Sequence, residues 1–387
     1  MKVQSARLDG LGTTIFAEMS ALALRTGSIN LGQGFPDTDG PKDVIEAAVG
    51  AMRSGHNQYT AGLGIAPLRE AIAAHQARWY GLHLDPATEV VVTTGATEAL
   101  AGALLGLVDP GDEIIVLEPY YDSYVAMIQM AGGVRRPVTL RAPNFRLPVD
   151  ELRAAVTPRT TAILLNSPHN PTGTVLRREE LEAVAAIAVE HDLIVISDEV
   201  YEHLTFGVPH VPISTLPGMR ERTLTISSGG KSFSVTGWKV GWATGPVELV
   251  AAVMGAKQFL TYMSGAPLQP AIAHALGFDA DYFTGFRAGM RAQRDQLCDG
   301  LDALGFEVFV PEGTYFATTD IRPLGFADGL DFCRRLPEVA RVVAIPHQVF
   351  YDDVEAGRPL VRWAFCKRPE VIADALERLG RLRPGSG

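Results

Sequence analysis

Ser227-Ser228-Gly229-Gly230-Lys231-Ser232-Phe233-Ser234-Val235-Thr236-Gly237-Trp238-Lys239-Val240-Gly241 is the stretch on which the fold turns. It leaves an apolar, strand-like run at 223–226 and passes through small residues to one lysine. A second lysine follows eight positions later, at the head of another strand-like run, 239–243. Lysine is ordinarily expelled to solvent. One held among Gly, Ser and Phe suits Schiff-base chemistry, because an amine in a dry, cationic neighbourhood loses its proton and attacks carbonyls. The plainer alternative is a surface loop with two solvated lysines, and the flanking sequence weighs against it.

Upstream, strand and helix patterns alternate. Strands are expected at 89–94, 113–117, 136–140, 161–165, 193–197 and 223–227, with helices at 98–108, 121–130, 149–156 and 178–191. A last strand, 240–244, is expected to close the sheet. The strand runs are continuously apolar, as in a sheet covered on both faces. This predicts an α/β fold with a mostly parallel seven-stranded sheet. A long helical stretch over 246–277 then leads into a smaller α+β unit. The expected division is an N-terminal segment, 1–35, packed with the small domain, a large domain at 36–277 and the small domain at 278–387. A length of 387 residues suits about two domains.

Composition narrows the function. Apolar residues make up 47% and charged residues 20%, as in an ordinary soluble globular protein. A net charge of −10 without a Lys/Arg run argues against a nucleic-acid binder. The three cysteines, Cys298, Cys333 and Cys366, are far apart and form neither a disulfide framework nor a metal motif. They read as small buried hydrophobes in a reducing cytoplasm. No signal peptide or membrane-spanning run is visible.

Side chains with chemistry gather at the strand ends. Gly95-Ala96-Thr97 sits at a strand-to-helix turn, where unpaired N–H groups favour a phosphate. Glu118-Pro119-Tyr120-Tyr121-Asp122 ends a strand at its carboxyl end, where open α/β sheets bind ligands, and offers two aromatic faces. These rings could equally be packing above the sheet. Asn166-Ser167-Pro168-His169-Asn170-Pro171-Thr172-Gly173 is a rigid loop in which a cis X–Pro bond would fit, and His169 is expected to make a structural bond there. Asp198 ends a buried apolar strand, a costly place for a carboxylate unless it meets a cation or caps a helix. Strand alternation points Glu199 the other way. Arg362 is a single cation on the apolar run 360–365, suited to gripping a carboxylate bidentately, or else to a structural ion pair.

The pattern Ser-x-x-Lys-x-Phe-x-x-Thr-Gly-Trp-Lys-x-Gly over 228–241 resembles the lysine signature of the class I/II aminotransferases, which depend on pyridoxal 5'-phosphate. The resemblance covers nearly the whole chain, and the nearest subgroup is that of the kynurenine (glutamine) and bacterial N-succinyldiaminopimelate aminotransferases. It implies a fold-type I transferase in which Lys231 bonds the cofactor covalently. Gly95, Ala96, Thr97, Ser228 and Lys239 would hold the phosphate, and Tyr121, preferred to Tyr120, would stack on the ring. Asp198 would pair with the protonated ring nitrogen, while Asn170 and Tyr201 would bond the phenolic oxygen. Arg362, the Gly34 amide and Asn170 would receive the substrate. Phe16 falls where relatives carry a pocket aromatic, although its own pattern is that of a core residue. Tyr59 matches a tyrosine that reaches the phosphate of a second copy, which implies a homodimer with shared sites.

The implied reaction moves an α-amino group between an amino acid and a 2-oxo acid, with 2-oxoglutarate and glutamate as the expected partners, in ping-pong fashion. The segment 257–265, expected at the site mouth, has aromatics and no arginine. That favours donors with bulky aromatic, thioether or amide side chains, such as kynurenine, methionine or glutamine. N-succinyl-LL-diaminopimelate also fits if its acyl arm reaches cations elsewhere. One rival is a C–S β-lyase on the same fold. Another is a non-catalytic cofactor-binding regulator, which would be expected to need a fused DNA-binding domain. A nicotinamide dehydrogenase is disfavoured because no Gly-x-Gly-x-x-Gly follows the first strand.

Overall fold

A computed structural model describes residues 5–382; the outermost parts of the two expected terminal segments, 1–4 and 383–387, lie outside the described residues. The larger sheet has seven strands: β1 (Val90–Thr94), β2 (Glu113–Glu118), β3 (Val134–Thr139), β4 (Thr160–Asn166), β5 (Ile194–Asp198), β6 (Thr223–Ser228) and β7 (Val240–Thr244). Their order is β1-β7-β6-β5-β4-β2-β3. Neighbouring residues on the central strands enter opposite cores, since Ile114, Val116, Leu164 and Ile196 pack on one face and Ile115, Ile163, Leu165 and Val195 on the other. Burial on both faces is what the unbroken apolar runs demand.

Three expectations need correction. β7 does not close the sheet; it lies one in from the edge and runs antiparallel to both β1 and β6. The chain leaves β6 and turns back through the short helices Gly229–Ser232 and Thr236–Trp238. A connection that short can join only antiparallel neighbours. The helical stretch expected over 246–277 is two helices, Val247–Lys257 and Leu268–Leu276, parted by a loop. Lys257 Nζ donates to Tyr262 O at 2.7 Å, which winds the chain off the first helix. Pro267 caps the second. The helix after β1 also starts earlier than expected: it runs Gly95–Leu107 and leaves no loop between strand and helix.

The smaller sheet contains β8 (Glu307–Phe309), β9 (Phe316–Asp320), β10 (Ile345–Pro346) and β11 (Leu360–Ala364), ordered β10-β11-β9-β8 and antiparallel throughout. The N-terminal pair Ile29–Asn30 runs parallel with Val342–Val343. One core joins Met19, Leu22 and Leu31 to Leu297, Phe332 and Trp363, and it takes in Val200 and Tyr201 beyond the end of β5. The loop leaving the large sheet is therefore clamped by the smaller one. All three cysteines are free and buried. Among the described residues no helix is long and apolar enough to cross a membrane.

Candidate active site

The carboxyl ends of β1, β2, β4, β5 and β6 and the amino end of the reversed β7 open onto one cavity of about 980 Å³. β11 and the 33–35 segment supply the opposite wall. This arrangement brings together Lys231, Asp198, Tyr201, Asn170, Tyr121, Ser228, Lys239 and Arg362. Gly95, Ala96, Thr97, Gly34 and Phe16 line it as well. Tyr59 does not.

Lys231 lies on the four-residue helix after β6, and its Nζ donates to the Tyr315 hydroxyl at 2.8 Å. That hydroxyl in turn donates to Gly34 O. Burial pulls the amine down to about 8, and the cations of Lys239 and Arg362 pull the same way. The sequence offers no signal for Tyr315, whose neighbours read as an ordinary strand entry.

Asp198 closes β5 at 4% exposure. Its Oδ2 accepts the Tyr124 hydroxyl at 2.7 Å and its Oδ1 the Val200 N–H at 3.3 Å. Burial pushes the carboxyl up to about 6, against these bonds and the more distant Lys231. Tyr124, one helical turn after Tyr121, went unnoticed in the sequence, although the i, i+3 spacing placed both rings on one face. Their ring centroids are 5.7 Å apart, edge to face. Tyr120 is held instead by Asp352, to which its hydroxyl donates at 2.7 Å.

A chain of amides ties β4 to β11. Asn166 Nδ2 donates to Asp198 O at 2.9 Å, the Asn170 N–H donates to Asn166 Oδ1 at 2.7 Å, and Arg362 Nη1 donates to Asn170 Oδ1 at 2.8 Å. Arg362 is 1% exposed, and its Nη2 donates to Gly32 O at 2.8 Å. Its Nε has no acceptor, and the Phe316 ring lies 3.9 Å and the Phe16 ring 5.0 Å from the guanidinium carbon. Burial lowers its pKa to about 10. Phe16 therefore lines the cavity while also packing against the core, as its pattern alone suggested. His169 is buried, with Nδ1 2.7 Å from Thr172 Oγ1 and its pKa lowered by burial to about 3, as suits a structural histidine. Glu199 faces away and meets His210 at 2.9 Å.

At the far end, Lys239 Nζ donates to Thr97 Oγ1 at 2.9 Å over the start of the Gly95–Leu107 helix. Gly95 has φ +70°, and a Cβ there would meet Lys239 Nζ at 3.2 Å. A Cβ on Gly241 would come within 2.5 Å of the Gly95 carbonyl carbon. Only glycine at both positions keeps this cup open.

The segment 257–265 departs from expectation, since it does not line this chain's cavity. It packs behind the cup, where Thr94 Oγ1 donates to Thr261 Oγ1 at 3.3 Å. Tyr59 is 84% exposed and lies edge-on against Tyr262, with ring centroids 5.8 Å apart. Among the described residues one trio, His75, Glu202 and His203, gathers metal-ligating groups. Its two imidazole Nε2 atoms are 2.7 Å apart, a hydrogen-bond distance. Two ligands on a tetrahedral ion with ~2.1 Å bonds stand about 3.4 Å apart.

The cavity fits pyridoxal phosphate. A buried carboxylate whose pKa is raised for want of a close cation suits a protonated ring nitrogen. A glycine-walled helix start beside Lys239 suits a phosphate, and a buried amine suits its aldehyde. Comparison with known proteins agrees. The family model "Aminotransferase class I and II" matches residues 26–379. A probable N-succinyldiaminopimelate aminotransferase of Mycobacterium tuberculosis is 52% identical over 388 aligned positions, covering 97% of this chain and 98% of that protein. The solved structure of the N-succinyldiaminopimelate aminotransferase from M. tuberculosis superposes with a TM-score of 0.97 over 98% of this chain and 100% of its own. The methionine aminotransferase of Escherichia coli is 39% identical over 98% of both chains. With the family model matching residues 26–379 and a 52%-identical relative aligned over nearly the whole of both chains, this chain belongs to the class I and II aminotransferases, enzymes that work with pyridoxal phosphate.

Proposed function

We propose that this aminotransferase accepts amino acids with bulky neutral or N-acylated side chains and passes the amino group to 2-oxoglutarate. The donors in view are N-succinyl-LL-diaminopimelate, kynurenine, methionine and glutamine. The observation that carries the reading is Arg362: a buried guanidinium facing the cavity, bonded only to neutral oxygens and with Nε unused. Such a group is expensive to leave unpaired, and a substrate α-carboxylate satisfies it. Phe16, Tyr121 and Phe316 make the wall beside it apolar. The other arginine on the cavity, Arg334, is paired with Glu18 at 2.8 Å, which disfavours an aspartate-like second carboxylate. The relative at 52% identity makes the N-succinyl substrate the first to try.

When bound, pyridoxal phosphate supplies an electron sink for the pair left at the substrate Cα. Asp198 would hold its ring nitrogen, Tyr201 and Asn170 its phenolic oxygen, and Tyr121 its face. Gly95, Ala96, Thr97, Ser228 and Lys239 would hold its phosphate. Lys231 would bond the cofactor and, once displaced by substrate, would carry the proton from the substrate Cα to the cofactor, and in the second half-reaction from the cofactor to the Cα of the incoming oxo acid. Tyr315 accepts a hydrogen bond from Lys231 and orients its amine, leaving the nitrogen lone pair free. Arg362, with Asn170 and the Gly34 amide, sets the substrate so that the Cα–H faces Lys231.

The active unit in this reading is a homodimer, with Tyr59 of one copy reaching the phosphate of the other. The exposed rings of Tyr59, Phe259 and Tyr262 support it. The chain is read as residues 36–277 forming a large domain and 1–35 with 278–387 a small one. It is placed in the cytoplasm, where buried thiols stay reduced. The test is glutamate formation from 2-oxoglutarate with each donor in turn and with aspartate. Aspartate as the preferred donor would overturn the substrate reading. Pyruvate and ammonia released from a cysteine conjugate without any oxo acid would favour the β-lyase.

A further inference from the structure

Glu98 and Lys257 are buried charges with no part in the chemistry above, at 7% and 0% exposure. Buried ions persist only where partners hold them. Glu98 stands in the first turn of the Gly95–Leu107 helix. Its Oε2 accepts the Thr94 N–H at 2.6 Å, its Oε1 accepts the Thr261 hydroxyl, and Lys257 Nζ lies 4.0 Å from Oε2. Lys257 Nζ donates in turn to Tyr262 O at 2.7 Å. Tyr262 sits at φ +65°, left-handed backbone that a tyrosine rarely adopts, with its ring against Tyr59. One carboxylate thus touches the turn that opens the cup and the loop that carries the exposed aromatics. Because it takes the Thr94 N–H, the N–H groups of the helix's first turn stay available to an anion. Its field also reaches Lys239, the lysine of the cup.

We propose that Glu98 and Lys257 are a positioning pair that couples filling of the cup to the ordering of loop 258–265. The aromatic face offered to a second copy would then be complete only when the cofactor phosphate is in place. This rests on the phosphate cup and dimer proposed above. A phosphate in the cup would sit against the helix start that Glu98 holds through the Thr94 N–H, and the same carboxylate holds the loop through the Thr261 hydroxyl and Lys257, so fixing the helix start fixes the loop.

The test measures pyridoxal phosphate affinity by equilibrium dialysis and hydrogen exchange across 258–265, with and without the cofactor. In the wild type the cofactor should slow exchange of that segment. In Glu98→Gln affinity should fall about tenfold, the worth of one charge-assisted bond, and the exchange should stop responding to cofactor. Glu98→Gln leaves a buried ammonium uncompensated, so Glu98→Gln/Lys257→Met, which buries no charge, is measured beside it. The double variant should also lose cofactor-dependent protection. A merely structural pair would shift the melting temperature and leave that protection intact, which would overturn the proposal. A wild-type loop indifferent to cofactor would do the same. Lys239→Met separates the two layers. If it leaves affinity unchanged, the cup lies elsewhere and the coupling falls with it. If it lowers affinity while the Glu98 variants keep wild-type protection, the pair alone is wrong.

Discussion

Asp198→Asn should make the cofactor-free protein more stable and the enzyme worse. The Asp198 carboxyl rises from 3.8 to about 6 on burial. Two pKa units at about 1.4 kcal/mol each put the penalty of its charge near 3 kcal/mol at pH 7.5. Asparagine removes the charge but offers one acceptor where Asp198 meets two donors, Tyr124 and Val200. The lost bond costs about 1 kcal/mol. The net gain is therefore about 2 kcal/mol at pH 7.5. The sign of the pH dependence follows from the raised pKa. The folded state favours the protonated carboxyl, so the wild type pays nothing below the unfolded value and is progressively destabilised as pH rises from about 4 to 6. The advantage of the variant should shrink by about 1.4 kcal/mol between pH 7.5 and pH 5. Denaturant unfolding of cofactor-free protein at fixed concentration, followed by the fluorescence of its four tryptophans, measures both. Pyridoxal phosphate affinity and turnover should fall in the same variant. If Asp198→Asn is no more stable at pH 7.5, or its advantage does not change with pH, the carboxylate is not held charged in wait for a cation.

Three further outcomes follow from the site. Borohydride reduction of the cofactor-loaded protein should fix the cofactor to Lys231, and attachment to the cofactor-free protein should accelerate about tenfold per pH unit up to about pH 8 and then level off, because the lowered pKa leaves the amine neutral above that point; a rate still climbing at pH 10 would mean an unperturbed amine. Arg362→Lys keeps the charge but loses the fork, so KM for the amino donor should rise about 10- to 100-fold with a smaller change in kcat, and equal losses in kcat and kcat/KM with KM unchanged would show that Arg362 acts only in the transition state. Mixing Lys231→Ala and Tyr59→Phe chains under subunit exchange should restore part of the activity, since one site of the mixed dimer is then wild type; no recovery despite proven exchange would exclude Tyr59 from a neighbour's site.

The sheet and most of the site could be read in advance because chemistry in an open α/β sheet gathers at strand ends. The apolar runs before Gly95, Asn166, Asp198 and Ser228 show where those ends are. Arg362 could be read because a lone cation on a buried apolar strand is costly unless an anion comes to meet it. Tyr124 and Tyr315 escaped because their work depends on where a hydroxyl points across 74 and 84 residues of chain, to Asp198 and Lys231 respectively. No local pattern encodes that. The place of β7 in the sheet escaped for a related reason: periodicity reports that a strand exists and is silent on which strand it pairs with. The loop at 258–267 did carry a signal, Gly265 and Pro267, but the apolar run through Leu260 imitates a helix.

The charges of the site explain why the cavity and its ligands belong together. Burial drives Asp198 up and Lys231 and Arg362 down, so each is held against its preferred state in the cofactor-free protein. None of the three is relieved by a close ion pair with another. Tyr124 accompanies Asp198, Tyr315 accompanies Lys231, and Asn170 with Gly32 accompanies Arg362. These partners satisfy hydrogen bonds without neutralising charge, which orients each group and leaves its field available. In the proposed reading, a cationic ring nitrogen, an aldehyde carbon and an anionic carboxylate would answer the three groups in turn. Cofactor and substrate would then gain what the fold forgoes, and a variant that relieves any one of these charges should exchange binding for stability.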